Sequence, residues 1–145
     1  MTCCFFGHKD TPLNICEKLE AAIEELITED GANRFLLGNQ GNFDMITFNI
    51  LRKMKLKHPD ISYCVVLAYM PTGKAAGSLY DYGETLIPEG IESVHPRFAI
   101  SWRNKWMINE SDTVVAYVTR TWGGAAKYVE IAAKKRKNII NLAML

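Results

Sequence analysis

No stretch of this 145-residue chain is apolar for the roughly 20 residues that a bilayer-spanning helix needs. An excess of one charge is missing too: 17 Lys and Arg stand against 16 Asp and Glu, for a formal net charge of +1. That balance leaves no electrostatic footprint for nucleic acid or for an anionic membrane surface, so neither is expected as a partner. The four cysteines, Cys3, Cys4, Cys16 and Cys64, form no CxxC pair. They read as small buried apolar residues of a reduced, cytoplasmic protein rather than as a disulfide framework or a zinc site. His, Cys and Asp nowhere cluster with metal-ligand spacing, so no metal is expected. The GxGxxG, P-loop and GxSxG patterns are absent. The opening "MTCCFFGHKD" is apolar for only a few residues and lacks a basic region, which argues against a signal peptide. With no repeat, low-complexity tract or linker to divide it, residues 1–145 read as one domain.

What the chain does have is alternation. "TCCFF" is a strand-like run ending at Gly7, and Pro12 stands where a helix should begin, behind Thr11 as its cap. Cys16, Leu19, Ile23, Leu26 and Ile27 then recur at helical spacing, and Gly31 ends that helix. "RFLLG" is a second strand. Phe43, Ile46, Ile50 and Met54 mark a second helix closed before Pro59, with Asp44 or Asn42 as its cap. "YCVVLAY" reads as a strand buried on both faces, and "DTVVAYV" and "NIINLAML" have the same character. Helical patterns separate them. Phe98, Trp102 and Trp106 recur every fourth residue and predict a helix with an aromatic face, more in keeping with core than with surface. Residues from Pro71 to about Pro96 carry scattered glycines and prolines and read as one long loop. The whole predicts a three-layer α/β/α sandwich around a mainly parallel sheet of about five strands.

Three junctions between a strand and a helix carry glycine: "FFGHKD", "LLGNQGNFD" and "VTRTWGGAAK". In open parallel sheets ligands bind beyond the carboxyl ends of the strands. A helix N-terminus offers free N–H groups and partial positive charge to phosphate or carboxylate, and glycine lets a ligand approach the backbone. One such turn is ordinary construction; three on one sheet edge would make an anion cradle. Lys9 could hold an anion there, and Asp44 would suit a ribose hydroxyl. Glu130 could equally pair with Lys127 or Lys134 on its own helix. "KKRK" at 134–137 reads as a solvated helix end.

The segments "FFGHKD", "RNKWMINESDTVVAYV" and "WGGAAKYVEIAAKKRKNIINL" resemble the SLOG superfamily. This is the Rossmann-like group of the cytokinin-activating LOG enzymes, the DprA/Smf proteins and the small YpsA-like bacterial proteins. The likeness is strongest to the short stand-alone bacterial members and spreads over most of the chain. It implies a nucleotide-like ligand over the three turns, held by Gly7, His8 and Lys9, by Gly38, Gly41 and Asp44, and by Gly123 and Gly124. Arg103 and Asn104 match an RN pair that would reach the ligand or brace the loop, and Ser111 and Asp112 match an SD pair. The LOG enzymes carry PGGxGTxxE, whose Glu assists cleavage of an N-glycosidic bond. Here Gly123, Gly124 and Glu130 match, while Trp122, Ala126 and Lys127 replace Pro, Gly and Thr.

Two functions follow from the resemblance, and the residues suggest a third. The first is a cytosolic sensor or regulator that binds a nucleotide or nucleotide-derived ligand. The second is a phosphoribohydrolase of a nucleoside monophosphate, with Glu130 and Arg103 as catalytic residues. A protein-interaction domain built on the aromatic helix is the third. Self-association is an expectation of analogy with other Rossmann-like domains.

Overall fold

A computed structural model describes residues 1–69 and 84–144. Six strands form one parallel sheet: β1 (Thr2–Gly7), β2 (Arg34–Leu37), β3 (Ser62–Val66), β4 (Thr85–Leu86), β5 (Thr113–Tyr117) and β6 (Asn138–Asn141). Their order is β4-β3-β2-β1-β5-β6, and every pairing is parallel. Among the described residues four α-helices flank it: α1 (Cys16–Thr28), α2 (Gly41–Lys57), α3 (Ala99–Glu110) and α4 (Gly124–Lys134).

The two-residue period of β1 builds the layers. Cys3 and Phe5 face one core with the buried stripe of α1 (Leu19, Ile23, Leu26) and with Phe43, Ile46 and Leu51 of α2. Cys4 and Phe6 face the other, with Met107 and Ile108 of α3 and Tyr128 and Ala132 of α4. The chain therefore winds outward from β1 in one direction with α1 and α2 on one face, then returns to β5 and winds the other way. The reversal between β1 and β5 is the switch point at which such sheets open a crevice.

Among the described residues the sheet has six strands, against about five expected. The extra strand, β4, lies within the stretch read as a loop: Val65 donates to the Glu84 carbonyl and Leu67 to that of Leu86. A two-residue strand has no periodicity of its own, and the free edge of β3 is what recruits it. Ile91–Ser93 and Pro96–Phe98 are short 3-10 helices. Residues 70–83 of that stretch lie outside the described residues. In β3 only Val65 and Val66 are buried, and β6 is a half-buried edge.

Helix starts also shift. Pro12 opens a 3-10 turn (Leu13–Ile15) and α1 begins at Cys16, while the Thr11 hydroxyl donates to the His8 carbonyl instead of capping. Gln40 is the N-cap residue of α2, so Asn42 and Asp44 both lie inside the helix. The aromatic stripe of α3 is not its buried face. That face is Ala99, Arg103, Asn104, Met107 and Ile108; Trp102 and Trp106 are half-buried beside it, and Phe98 is exposed.

Candidate functional site

The carboxyl ends of β1, β2 and β5 surround a cavity of about 400 Å³, within the range of about 300–1,000 Å³ typical of small-molecule sites. Phe5, Phe6, Gly7, His8 and Lys9 come from β1 and its turn, and Gly38, Gln40 and Asp44 from the β2 turn and α2. Helix α3 contributes Ile100, Arg103, Asn104 and Met107, and the β5 turn and α4 contribute Arg120, Gly123, Gly124, Ala125 and Tyr128. The three glycine turns therefore meet. Nine of the eleven expected site residues line the cavity: Gly7, His8, Lys9, Gly38, Asp44, Arg103, Asn104, Gly123 and Gly124. Gly41 and Glu130 do not.

Glu130 fails for a rotational reason. Tyr128 faces the core and stacks on Phe6, with ring centroids 5.5 Å apart. Two residues further on, a helix has turned by about 200°, so the Glu130 side chain is 68% exposed and pairs with Lys134 at 3.2 Å. The bond foreseen to Lys134 is made, and Glu130 stands away from any ligand in the cavity. Ser111 and Asp112 also lie elsewhere. The Ser111 hydroxyl donates to the Met107 carbonyl and Asp112 accepts from the Thr2 backbone N–H, at the opposite end of the sheet.

The glycines differ in why they are glycines. A Cβ on Gly7 would collide with the buried Phe43 ring, so this residue lets α2 pack on β1. Gly41 has φ +87°, and its Cβ would lie 2.6 Å from Cα of Lys9. It joins the first two turns, which are also tied by Asn42 N–H donating to the Lys9 carbonyl. A Cβ on Gly38 would crowd Asp44 at 3.0 Å and the Arg103 guanidinium at 3.2 Å. Gly123 has φ +96°, a left-handed conformation that the turn itself requires. Gly124 has neither reason: its φ is ordinary, and a Cβ there would meet nothing within 4 Å among the described residues. It opens α4, whose N-terminus has no side-chain cap among the described residues.

The polar floor is mostly committed to the protein itself. Arg103 is fully buried and donates to the Val66 carbonyl at 2.7 Å and to Asn104 Oδ1 at 2.8 Å. It braces α3 against the end of β3 while facing the cavity. Asp44 accepts from the Gln40 backbone N–H at 2.8 Å. Enclosure by protein pushes its carboxyl up to about 6, although the Gln40 N–H and the Arg103 charge pull the other way. His8 is buried, and its Nε2 accepts from the Thr119 backbone N–H at 3.0 Å, which fixes the neutral ring with its proton on Nδ1. Burial, and after it the neighbouring Arg120 charge, holds its pKa below the usual value. His8 thus braces the β5 turn. Lys9, by contrast, is exposed at the rim and makes no ion pair among the described residues.

Arg120 was not foreseen. It lies in "VTRTWGG", where nothing local marks it out. Its guanidinium sits over the Trp122 ring at 4.4 Å and reaches Asp10 on the β1 turn at 3.2 and 3.5 Å. Its Nε is buried without a hydrogen-bond partner among the described residues.

No family model matches the chain, and no curated protein matches it. Among solved structures, the X-ray structure of DNA processing protein A (DprA) from Streptococcus pneumoniae is similar, with a TM-score of 0.67 at 14% identity. The match covers 95% of this chain and 48% of that one, so the chain spans about half the length of that protein. At this identity the likeness speaks for the fold alone, a Rossmann-like α/β arrangement around a parallel sheet. Because that protein processes DNA, the likeness lends no support to the expectation against nucleic acid. Among the described residues, no helix is long and apolar enough to cross a membrane.

Proposed function

We propose that this domain binds a nucleotide or nucleotide-derived ligand in the cavity at its switch point, as a sensor or regulator. One observation carries the reading. Among the described residues, Gly124 is a glycine that neither backbone conformation nor any neighbouring atom requires, and it lies in the cavity wall at a helix N-terminus that none of their side chains caps. The first N–H groups of such a helix have no partner within it, and they favour an anion. Leaving out the Cβ there keeps a path to those groups open. The apolar wall of Ile100, Met107 and Phe6 suits a flat base, and Lys9 and Arg120 supply positive charge at the rim. The described lining residues carry one carboxylate, Asp44, and its partners are internal. With Glu130 turned outward, the reading stops at binding and does not extend to N-glycosidic cleavage. The near-neutral net charge favours a small anion over a nucleic-acid backbone.

A thermal-shift screen against nucleotides, fragments of NAD and ADP-ribose tests this reading. At about 100-fold excess over its Kd, a bound ligand stabilises the fold by about 2.7 kcal/mol. Gly124→Val should fold normally and lose that shift, because its side chain enters the cavity. No shift with any compound, or a Gly124→Val response equal to wild type, removes the reading.

A further inference from the structure

We infer that Arg120 is the residue that reads the ligand's anionic group, and that Asp10 is a stand-in carboxylate which the ligand displaces. The inference rests on the cavity being the binding site and adds how that site selects an anion. Arg120 is poorly satisfied where it is. Its two terminal nitrogens share Asp10 at 3.2 and 3.5 Å, long beside the 2.7–2.9 Å usual for charge-assisted bonds. Its Nε has no partner among the described residues, yet is closed off from water. The Asp10 side chain is 72% exposed, so it leaves at little cost once a better acceptor arrives. The Arg120 hydrogen bond holds the Asp10 carboxyl below its usual range, and as for any exposed aspartate it is the ionised form that competes at neutral pH. Stacking on Trp122 preserves the plane of the guanidinium while its partner changes.

A planar fork suits the paired oxygens of phosphate or pyrophosphate. It lies in the same wall as Gly123 and Gly124, so one anion would meet both the fork and the open helix end. Lys9 and Arg103 also face this cavity, but Arg103 is spent on Val66 and Asn104, and Lys9 offers a point charge without a fork.

Displacement makes a prediction of unusual sign: removing an acidic side chain bonded to the reading residue should strengthen binding. Calorimetric titration with inorganic pyrophosphate, at neutral pH and fixed ionic strength, provides the test. Asp10→Asn should bind about two- to fivefold tighter than wild type, the strength of an exposed ion pair. Arg120→Gln should bind about 10- to 100-fold more weakly. In the double variant the gain from Asp10→Asn should vanish, because Asp10 acts through Arg120. Should Arg120→Gln not fold, Arg120→Lys keeps the charge, lacks the fork and serves the same arm. Weaker or unchanged binding in Asp10→Asn overturns the displacement, and wild-type affinity in Arg120→Gln overturns the assignment. If Gly124→Val abolishes binding while Arg120→Gln does not, the cavity stands and this inference alone falls. If wild-type protein does not take up pyrophosphate, the inference falls, and nucleotide binding is judged by the thermal-shift panel.

Discussion

The two sides of the cavity use the same device to opposite ends. On the β1 and β2 side, Gly7, Gly38 and Gly41 are small because their own chain presses on them: Phe43, Arg103 with Asp44, and Lys9 occupy the space a Cβ would take. On the β5 side, a Cβ at Gly123 or Gly124 would meet nothing within 4 Å among the described residues. The first side is a packed floor and the second an open doorway. A glycine at a strand-to-helix turn therefore says little until the reason for its smallness is known. Collision with the protein marks construction, and empty space beside free helix N–H groups marks access.

The sharpest way to break this comparison is to add the same methyl group on both sides. Gly7→Ala forces the buried Phe43 ring out of its place and should cost about 3 kcal/mol, lowering Tm by about 10 °C. A Gly7→Ala protein that melts like wild type would show that the floor is not packed as described. Asp44 sharpens the contrast next, through pH. Its folded-state pKa of about 6 lies above its value of about 3.8 unfolded, so the folded protein binds the proton more tightly. That stabilisation is fully present below about pH 4 and is lost as pH rises through about 6. The change is worth about 1–3 kcal/mol, since Asp44 is only half-buried and solvent screens part of it. Asp44→Asn should flatten this part of the pH–stability curve, and a slope that survives the substitution would mean that another group causes it. His8 works in the opposite direction: its lowered pKa costs stability as pH falls below about 6.5.

Smaller effects belong to the open side. Gly124→Ala should leave stability within about 1 kcal/mol of wild type, and on the side of a gain, because alanine suits a helix better than glycine. A large loss of Tm would put Gly124 with the packed glycines. Smallest of all, Glu130→Gln should shift stability by only about 0.5 kcal/mol, since it breaks one exposed pair with Lys134. Ligand-induced stabilisation should survive Glu130→Gln intact, and losing it would bring Glu130 back into the site.

Much of this was legible beforehand where the signal was local. Every strand but β4, the buried stripe of α1 and the three glycine turns follow from periodicities and breaks that neighbouring residues carry. The stripe in α3 misled because Phe98, Trp102 and Trp106 form a regular pattern one position away from the face that is buried. A shift of one residue turns a helix by about 100°, and bulk in one stripe does not reveal which face meets the sheet. Arg103 and Asn104 fill that face because Val66 and the cavity floor offer them partners, which a hydrophobic pattern does not register.

By itself the sequence determined the alternation of elements and hence a parallel sheet with glycine turns, because backbone period and turn chemistry act over a few residues. Only the tertiary structure decided which of those turns packs and which opens, and that Glu130 faces away. It also brought Asp10 to Arg120 across 110 positions of chain. Contacts of that kind depend on strand order and on helix rotation, which arise when the layers assemble and are written in no short stretch of the chain.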